Sequence, residues 1–122
     1  MADPLVLVVD DEPSIRETIS FILEMEGFRV ETAADGEEGL EKIRALRPPV
    51  VLLDAMMPRR DGFDVCRTLK ADPELASVRV VMLTALGQAA DQEKGQAAGA
   101  DFYVTKPFDE DDLLALLRRL TA

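Results

Sequence analysis

The chain has 122 residues, 48% of them hydrophobic and 31% charged, and a formal net charge of −10 at pH 7. This length fits one folded domain over residues 1–122, and the composition argues against an intrinsically disordered protein. The acidic excess disfavours direct binding of nucleic acid, and no apolar run approaches the roughly 20 residues that a membrane-spanning helix needs.

An apolar strand and an amphipathic helix are the first predicted elements. Leu5–Val9 is a continuous apolar run, which is typical of a strand buried on both faces. In the helix that follows, Pro13 suits the first turn and Gly27 suits the end. The apolar face of this helix comprises Ile15, Ile19, Ile22 and Leu23. Phe28–Ala33 alternates apolar and polar residues, which favours an edge strand.

The middle of the chain alternates helices with apolar strands. Asp35 can cap a second helix, because its carboxylate can accept a hydrogen bond from the first turn. The apolar residues of that helix are Leu40, Ile43 and Leu46, and those of a third helix are Phe63, Cys66 and Leu69. Val50–Leu53 and Val78–Leu83 are apolar runs that predict two further buried strands.

The last part of the chain predicts a loosely packed helix, an edge strand and a final helix. Gln88–Ala98 offers only alanines for an inner face and contains a glycine, so burial would stabilise this helix little. Asp101–Val104 is short and suits an edge strand. Asp109 can cap the last helix, whose apolar residues are Leu113, Leu117 and Leu120. Five strands that alternate with five helices predict a doubly wound α/β domain with a parallel sheet.

Cys66 is the single cysteine of the chain and cannot form an internal disulfide bond. Its place on the apolar face of a predicted helix indicates a buried hydrophobic residue, not a reactive thiol. The chain also opens without the charged and apolar segments of a signal peptide. A reducing, cytoplasmic compartment is therefore the expected location.

Polar residues follow four of the five predicted strands. Asp10 and Asp11 come after the first strand, Asp54 after the third, Thr84 after the fourth, and Lys106 just beyond the fifth. Each of them alone could be a turn former or a helix cap. Because the carboxyl ends of parallel strands lie along one edge of a sheet, we expect three carboxylates, a hydroxyl and an ammonium to meet there.

Clustered carboxylates repel one another unless a cation joins them, so this set predicts a metal site. Oxygen ligands without histidine or paired cysteines favour Mg²⁺ over zinc. Asp11 and Asp54 are the candidate direct ligands, with Asp10 in contact or acting through a water molecule. The backbone carbonyl of Met56 can complete the protein's share of the coordination.

The same residues suit phosphoryl chemistry at Asp54. A carboxylate beside such a metal can attack phosphorus and become an aspartyl phosphate. The new phosphoryl oxygens then need donors and a countercharge, which Thr84 and Lys106 can supply through a hydroxyl hydrogen bond and a charged contact. The site residues thus predict a phosphate acceptor.

Four motifs of this sequence resemble those of response-regulator receiver domains of bacterial two-component signalling. They are VVDDE (Val8–Glu12), LLDAMMPRRDG (Leu52–Gly62), MLTA (Met82–Ala85) and GADFYVTKPF (Gly99–Phe108). The resemblance extends from end to end of the chain. It implies a flavodoxin-like receiver fold, with the strand order 2-1-3-4-5 and five flanking helices.

The resemblance also implies a function. Asp54 would accept a phosphoryl group from a phosphohistidine on a histidine kinase or a histidine phosphotransfer protein, with Mg²⁺ required. The domain would catalyse its own phosphorylation and a slow dephosphorylation. Thr84 and Tyr103 would form a switch, in which Thr84 moves toward the phosphoryl group and Tyr103 turns inward. The Lys106–Pro107 peptide bond would be cis.

The output of the predicted switch is a change in partner affinity. Phosphorylation adds about 1.5–2 negative charges, and movement of Thr84 would reposition the loop before the Gln88–Ala98 helix. We therefore expect a downstream protein to bind the output face, defined as that helix, the Asp101–Val104 strand and the last helix.

A phosphorylation-dependent homodimer through the output face is a further hypothesis. Receivers of winged-helix transcription factors dimerise through charged pairs there. The residues that could supply part of such a pattern are Lys94, Asp101, Asp112 and Arg118. Apolar residues stand where further charges are expected: Ala97, Phe102 and Leu116. The sequence therefore favours a stand-alone or non-winged-helix receiver, with a module of a longer regulator (DNA-binding or enzymatic) as the alternative.

Three other functions were weighed against this interpretation. A Mg²⁺-dependent aspartyl phosphohydrolase should have a second aspartate two positions after its nucleophile, but Glu12 follows Asp10 and Met56 follows Asp54 at that spacing. A flavodoxin-like electron carrier should have a Ser/Thr/Gly-rich phosphate loop after its first strand, and carboxylates there would repel phosphate. A receiver that only binds is disfavoured because the full site set is present.

Overall fold

Five parallel strands form a single sheet at the centre of the molecule. The computed structural model describes residues 3–57, 60–85, 93 and 96–122. The strands are β1 (Leu5–Val9), β2 (Arg29–Ala33), β3 (Val50–Asp54), β4 (Arg79–Ala85) and β5 (Phe102–Lys106). Their order is β2-β1-β3-β4-β5. The predicted order is confirmed, with the two weaker strand patterns at the edges.

Helices connect the strands and cover the sheet. They are α1 (Pro13–Met25), α2 (Gly36–Leu46), α3 (Gly62–Ala71) and the last helix (Glu110–Thr121). Residues 93 and 96–98 are also helical, while the rest of the predicted Gln88–Ala98 helix lies outside the described residues. The doubly wound α/β class is confirmed. Within the described ranges, no helix combines the length and the apolarity that crossing a membrane requires.

The two faces of the sheet bury separate apolar cores. In β1, Leu7 and Val9 pack on the side of α2 and α3, whereas Val6 and Val8 pack on the side of α1 and the last helix. All four side chains are inaccessible to solvent. Burial of such a side chain stabilises the fold by roughly 1.5–3 kcal/mol. The unbroken apolar runs of the central strands are therefore explained by helices on both faces.

Aspartates fix the first turns of three helices. The side chains of Asp35, Asp61 and Asp109 each accept a hydrogen bond from the backbone N–H three residues later, at 2.9–3.0 Å. Such a cap contributes about 1 kcal/mol. The predicted caps at Asp35 and Asp109 are confirmed. Gly27, with φ +91°, adopts the left-handed conformation after α1 that favours glycine.

Several predicted strand boundaries were wrong by one or two residues. The strands include the polar residues that were expected to follow them. Asp54 and Lys106 are the last residues of β3 and β5, and Thr84 is the last but one of β4. Thr84 pairs with Thr105 and Ala85 with Lys106, so the ladder continues past the apolar runs. The side chains become polar at these residues, but the backbone pairing continues. The hydropathy pattern therefore placed the ends of the strands too early.

Cys66 is fully buried in α3. Burial raises the pKa of its thiol to about 11, so the thiolate is not populated near neutral pH. The prediction of a buried hydrophobic residue is confirmed.

Candidate functional site

Three polar side chains are buried at one edge of the sheet. The solvent-exposed fractions of Asp10, Thr84 and Asp54 are 0%, 2% and 6%, and these are the buried polar or charged residues in the part of the chain that the structure describes. Asp10 directly follows β1, Asp54 ends β3, and Thr84 lies next to the end of β4. All three therefore lie at the carboxyl edge of the sheet, where ligands bind in open parallel folds.

Asp11 joins the two buried aspartates to form a carboxylate cluster. One oxygen from each of Asp10, Asp11 and Asp54 can be chosen so that all three lie within 4.8 Å of one another. Two of these side chains are buried and that of Asp11 is exposed. A set of oxygen ligands that is open to solvent on one side suits Mg²⁺, because this ion keeps several water ligands and binds one or two protein carboxylates. The donor set therefore fits that ion.

Lys106 brings a positive charge to the cluster from the end of β5. Its Nζ lies 3.2 Å from Asp10 Oδ2 and 3.4 Å from Asp54 Oδ1. Burial alone would lower the pKa of Lys106, but the charges of Asp54 and Asp10 outweigh it and raise that pKa. The ammonium is therefore fully charged and bridges the two buried carboxylates.

Asp54 has the most perturbed carboxyl of the site. Its pKa is raised from 3.8 to about 6, chiefly by burial and next by the negative charge of Asp10. The Lys106 ammonium and a hydrogen bond donated by the Met56 N–H, with N···Oδ1 3.4 Å, act in the opposite direction. Ionisation of Asp54 is therefore more costly than that of an exposed aspartate, and a bound divalent ion would reduce this cost.

The loop between β1 and α1 is held by contacts that sequence reasoning missed. The Glu12 N–H donates to Asp10 Oδ1 at 2.9 Å, and Arg16 Nη1 donates to the Asp10 carbonyl oxygen at 2.7 Å. Arg16 lies near the start of α1, where the helix dipole disfavours a cation. That unfavourable placement is the one signal that could have marked Arg16 as part of the site.

The cluster opens to solvent through a cavity of about 300 Å³. Its lining residues are Asp11, Glu12, Asp54, Ala55, Met56, Leu83 and Lys106. The structure therefore brings together the predicted residues Asp11, Asp54, Met56 and Lys106, with the Asp10 carboxylate beside them. Thr84 is buried beside this cavity and is not one of its lining residues.

Tyr103 lies apart from the carboxylates. It lines a second groove, between β5 and the last helix, together with Phe108 and Leu116. Its hydroxyl is buried and has no hydrogen-bond partner among the described residues. The Lys106–Pro107 peptide bond at the end of β5 is cis. Lys106 lines the carboxylate cavity, while its neighbours Thr105 and Pro107 line this groove.

The chain belongs to the response regulator receiver domain family, whose family model matches residues 6–118. Among curated proteins, it is 45% identical over 117 residues to the DNA-binding dual master transcriptional regulator RpaA of Synechocystis sp., covering 96% of this chain and 48% of that protein. It is 46% identical over 113 residues to the DNA-binding response regulator MtrA of Mycolicibacterium smegmatis, covering 93% and 48%. The chain therefore spans about half the length of these relatives.

Solved structures with the same fold include a chemotaxis protein of about the same length and the receiver domain of a sensor histidine kinase. The chemotaxis protein CheY4 of Vibrio cholerae has a TM-score of 0.90 at 36% identity, covering 98% of this chain and 99% of that chain. The receiver domain of the sensor histidine kinase PA1611 of Pseudomonas aeruginosa has a TM-score of 0.91 at 30% identity, covering 98% of each chain. The latter structure has a magnesium ion coordinated in its active site cleft.

Proposed function

We propose that this receiver domain takes a phosphoryl group from a phosphohistidine, on a histidine kinase or a histidine phosphotransfer protein, onto Asp54. The observation that carries the proposal is the cluster of three carboxylates bridged by Lys106 at the mouth of an open cavity. Such a set of groups has no structural task in the core, because each buried charge carries a desolvation cost. We also propose a cytoplasmic location, since the family's partners in signalling act there.

Asp10, Asp11, Asp54 and the Met56 carbonyl would hold a Mg²⁺ ion. The ion would supply positive charge that neutralises the carboxylates and the incoming phosphoryl oxygens. The magnesium in the cleft of the PA1611 receiver supports this assignment by similarity. The raised pKa of Asp54 supports it independently, because that carboxylate lacks sufficient positive charge in the protein alone.

The transfer step places the new bond on Asp54. A carboxylate oxygen of Asp54 attacks phosphorus, the P–N bond to the donor imidazole breaks, and its electron pair stays on the imidazole nitrogen. Lys106 already lies 3.4 Å from Asp54 Oδ1 and can follow the charge onto the phosphoryl oxygens. Thr84, on the neighbouring strand, can donate its hydroxyl hydrogen to another of these oxygens.

The test is phosphorylation of the purified chain by acetyl phosphate with and without Mg²⁺. We expect intact-mass spectrometry to detect the gain of one phosphoryl group with Mg²⁺ and no gain after chelation with EDTA. Peptide analysis after reduction of the acyl phosphate should place the modification on Asp54. A gain of equal size in EDTA, or no gain at saturating donor and Mg²⁺, would contradict the proposal.

We further propose that phosphorylation changes the affinity of the output face for a downstream protein, with Thr84 and Tyr103 as the switch. The buried Tyr103 hydroxyl supports this, because it has no partner among the residues that the structure describes and an unsatisfied polar group favours a second conformation. Hydrogen exchange of residues 84–104 should change when a beryllofluoride mimic of the phosphoryl group is added. Equal exchange rates in both forms would count against the switch.

The homodimer receives less support than the other proposals. Asp101 binds Lys70 Nζ at 2.9 Å and accepts a hydrogen bond from the Val80 N–H at 2.8 Å, while Arg118 pairs with Glu26. Phe102 and Leu116 pack in part against the core of the same chain. Lys94 lies outside the described residues. Two of the four charges considered for a dimer are therefore already paired within the chain.

A module of a longer regulator is the favoured form of the protein. The similarity to DNA-binding regulators about twice the length of this chain supports this alternative over a stand-alone receiver. A Mg²⁺-dependent phosphohydrolase is the second candidate, because its nucleophile would also be an aspartate in an acidic site. Hydrolysis of small phosphate esters with multiple turnovers would favour the phosphohydrolase, and a single phosphorylation event would favour the receiver.

A further inference from the structure

One guanidinium group joins the loop between β3 and α3 to two helices. Arg60 Nε donates to Asp64 Oδ2 at 2.6 Å, and Arg60 Nη2 donates to Thr68 Oγ1 at 2.7 Å, both on α3. Arg60 Nη1 reaches Glu37 Oε1 of α2 at 3.4 Å. Three side chains thus use the three nitrogens of a single arginine. The hydrogen bond from Arg60 also lowers the pKa of the Asp64 carboxyl below its usual value.

The backbone of Arg60 is docked as closely as its side chain. A Cβ placed on Gly36, at the start of α2, would lie 2.6 Å from the Arg60 carbonyl oxygen and 2.7 Å from Arg60 Cβ. Real Cβ atoms do not approach other atoms so closely, so the loop occupies the space that a larger residue at position 36 would fill. Arg60 therefore holds the far end of the loop against α2.

The near end of the same loop is part of the carboxylate site. The Gly62 N–H donates to the Ala55 carbonyl oxygen at 2.9 Å, which closes the loop on itself. The Met56 N–H reaches Asp54 Oδ1 at 3.4 Å, and Met56 lines the cavity. Arg60 lies two residues before Gly62, whose amide is hydrogen-bonded to Ala55, and Ala55 is covalently joined to Met56. A displacement of Arg60 is therefore transmitted to the groups around Asp54.

We propose that Arg60 is a positioning residue for the Asp54 site, which sets the position of Gly62 and, through the hydrogen bond from Gly62 to Ala55, that of Met56. The inference deepens the proposed function and rests on it where Mg²⁺ is concerned. The geometry of the guanidinium is required, because a lysine ammonium is a point charge on a flexible stem and cannot serve Glu37, Asp64 and Thr68 in one plane. The exposed contact with Glu37 contributes little to stability, whereas the contacts with Asp64 and Thr68 are partly buried.

The direction in which a substitution of Arg60 changes the Mg²⁺ affinity distinguishes a positioning role from a purely electrostatic one. Removing a positive charge near an acidic site strengthens the attraction for a cation. If Arg60 positions the loop, Arg60→Ala will weaken Mg²⁺ binding instead. Arg67 supplies a matched control, because it pairs with the other oxygen of Asp64, at 3.8 Å, and forms no hydrogen bond or ion pair with the described residues of the loop.

The experiment measures the Mg²⁺ dissociation constant by calorimetry for four proteins: wild type, Arg60→Ala, Arg60→Lys and Arg67→Ala. We expect the constant to rise by about threefold to tenfold in Arg60→Ala, with Arg60→Lys close to it, and to stay level or fall in Arg67→Ala. Equal constants for Arg60→Ala and Arg67→Ala would overturn the proposal. Recovery of wild-type affinity by Arg60→Lys would overturn the geometric part of it.

Amide exchange in the metal-free proteins provides a second readout that does not depend on Mg²⁺. The Gly62 amide is expected to exchange several times faster in Arg60→Ala than in wild type and Arg67→Ala, because its bond to Ala55 opens more often. Absence of Mg²⁺ binding by wild type would contradict the proposed function alone. Unchanged exchange of Gly62 in Arg60→Ala would contradict the role of Arg60 alone.

Discussion

Asp54→Asn is expected to abolish phosphorylation by acetyl phosphate while leaving the protein folded. Asparagine has the shape of aspartate, but its amide is not a nucleophile toward phosphorus. Intact-mass spectrometry checks this directly. Asp111→Asn is the matched control, since it removes the same charge from an exposed position at the start of the last helix and should accept the phosphoryl group as wild type does. A full phosphoryl gain in Asp54→Asn would assign the acceptor to another residue.

The same substitution should also stabilise the protein when divalent ions have been removed. The pKa of Asp54 is about 6 in the folded protein and close to 3.8 in the unfolded chain. Between these values the folded form binds more protons at Asp54, so the contribution of this group to stability is greatest below pH 4 and falls as the pH rises to 6. Above pH 6 the ionised carboxylate destabilises the fold by about 2–3 kcal/mol.

Urea unfolding of metal-free wild type and Asp54→Asn at several pH values isolates this contribution. The free energy of unfolding of Asp54→Asn should exceed that of wild type at pH 7 and converge with it near pH 4. Carboxyl groups distant from Asp54 contribute equally in both proteins, so they cancel in the difference. A difference that does not depend on pH would show that the Asp54 carboxyl is not destabilised by burial.

Gly62→Ala is expected to destabilise the fold by about 3 kcal/mol or more. A Cβ on Gly62 would lie 2.2 Å from the Asp54 carbonyl oxygen and 2.9 Å from Ala55 Cα. Both atoms belong to the backbone at the end of a buried strand and cannot rotate away as a side chain would. Overpacking of this kind typically costs 1–3 kcal/mol, and more where no atom can yield.

Gly39→Ala is the comparison for that substitution. Gly39 is also helical, but the atoms nearest to its Cβ would belong to the Val9 side chain, with the two methyl groups at 3.1 and 3.2 Å. The gain in helix propensity, up to about 1 kcal/mol, should offset this tight contact. Urea unfolding should therefore separate the two variants clearly. Equal stability of Gly62→Ala and Gly39→Ala would show that the turn at Gly62 relaxes more easily than its contacts indicate.

Local chemistry accounts for the part of the fold that was predicted correctly. The apolar runs of β1 and β3 predict strands that are covered on both faces, and Asp35 and Asp109 predict the starts of helices. Each of these patterns depends on residues that are close together in the sequence. The gathering of Asp10, Asp11, Asp54 and Lys106 followed from one further rule, that parallel strands end at the same edge.

Contacts between distant parts of the chain account for what the sequence did not predict. Arg16 and Arg60 look like ordinary surface cations in the sequence, and their tasks depend on the Asp10 carbonyl and on α2, which only the folded chain brings near. The strand ends were placed too early for a related reason. Pairing of Ala85 with Lys106 is a property of two strands together, and neither strand shows it alone.

The hydrogen-bond ladder continues past Asp54, since the Ala55 N–H donates to the Leu83 carbonyl oxygen at 3.0 Å. The carboxylate of Asp54, the proposed phosphate acceptor, is therefore attached to a buried strand that is hydrogen-bonded beyond its own position. Phosphorylation is not expected to shift the backbone of Asp54, because such a shift would require the central strands to separate. We therefore expect any effect of phosphorylation to reach the surface through movements of the surrounding side chains and loops, while the backbone of Asp54 stays in place.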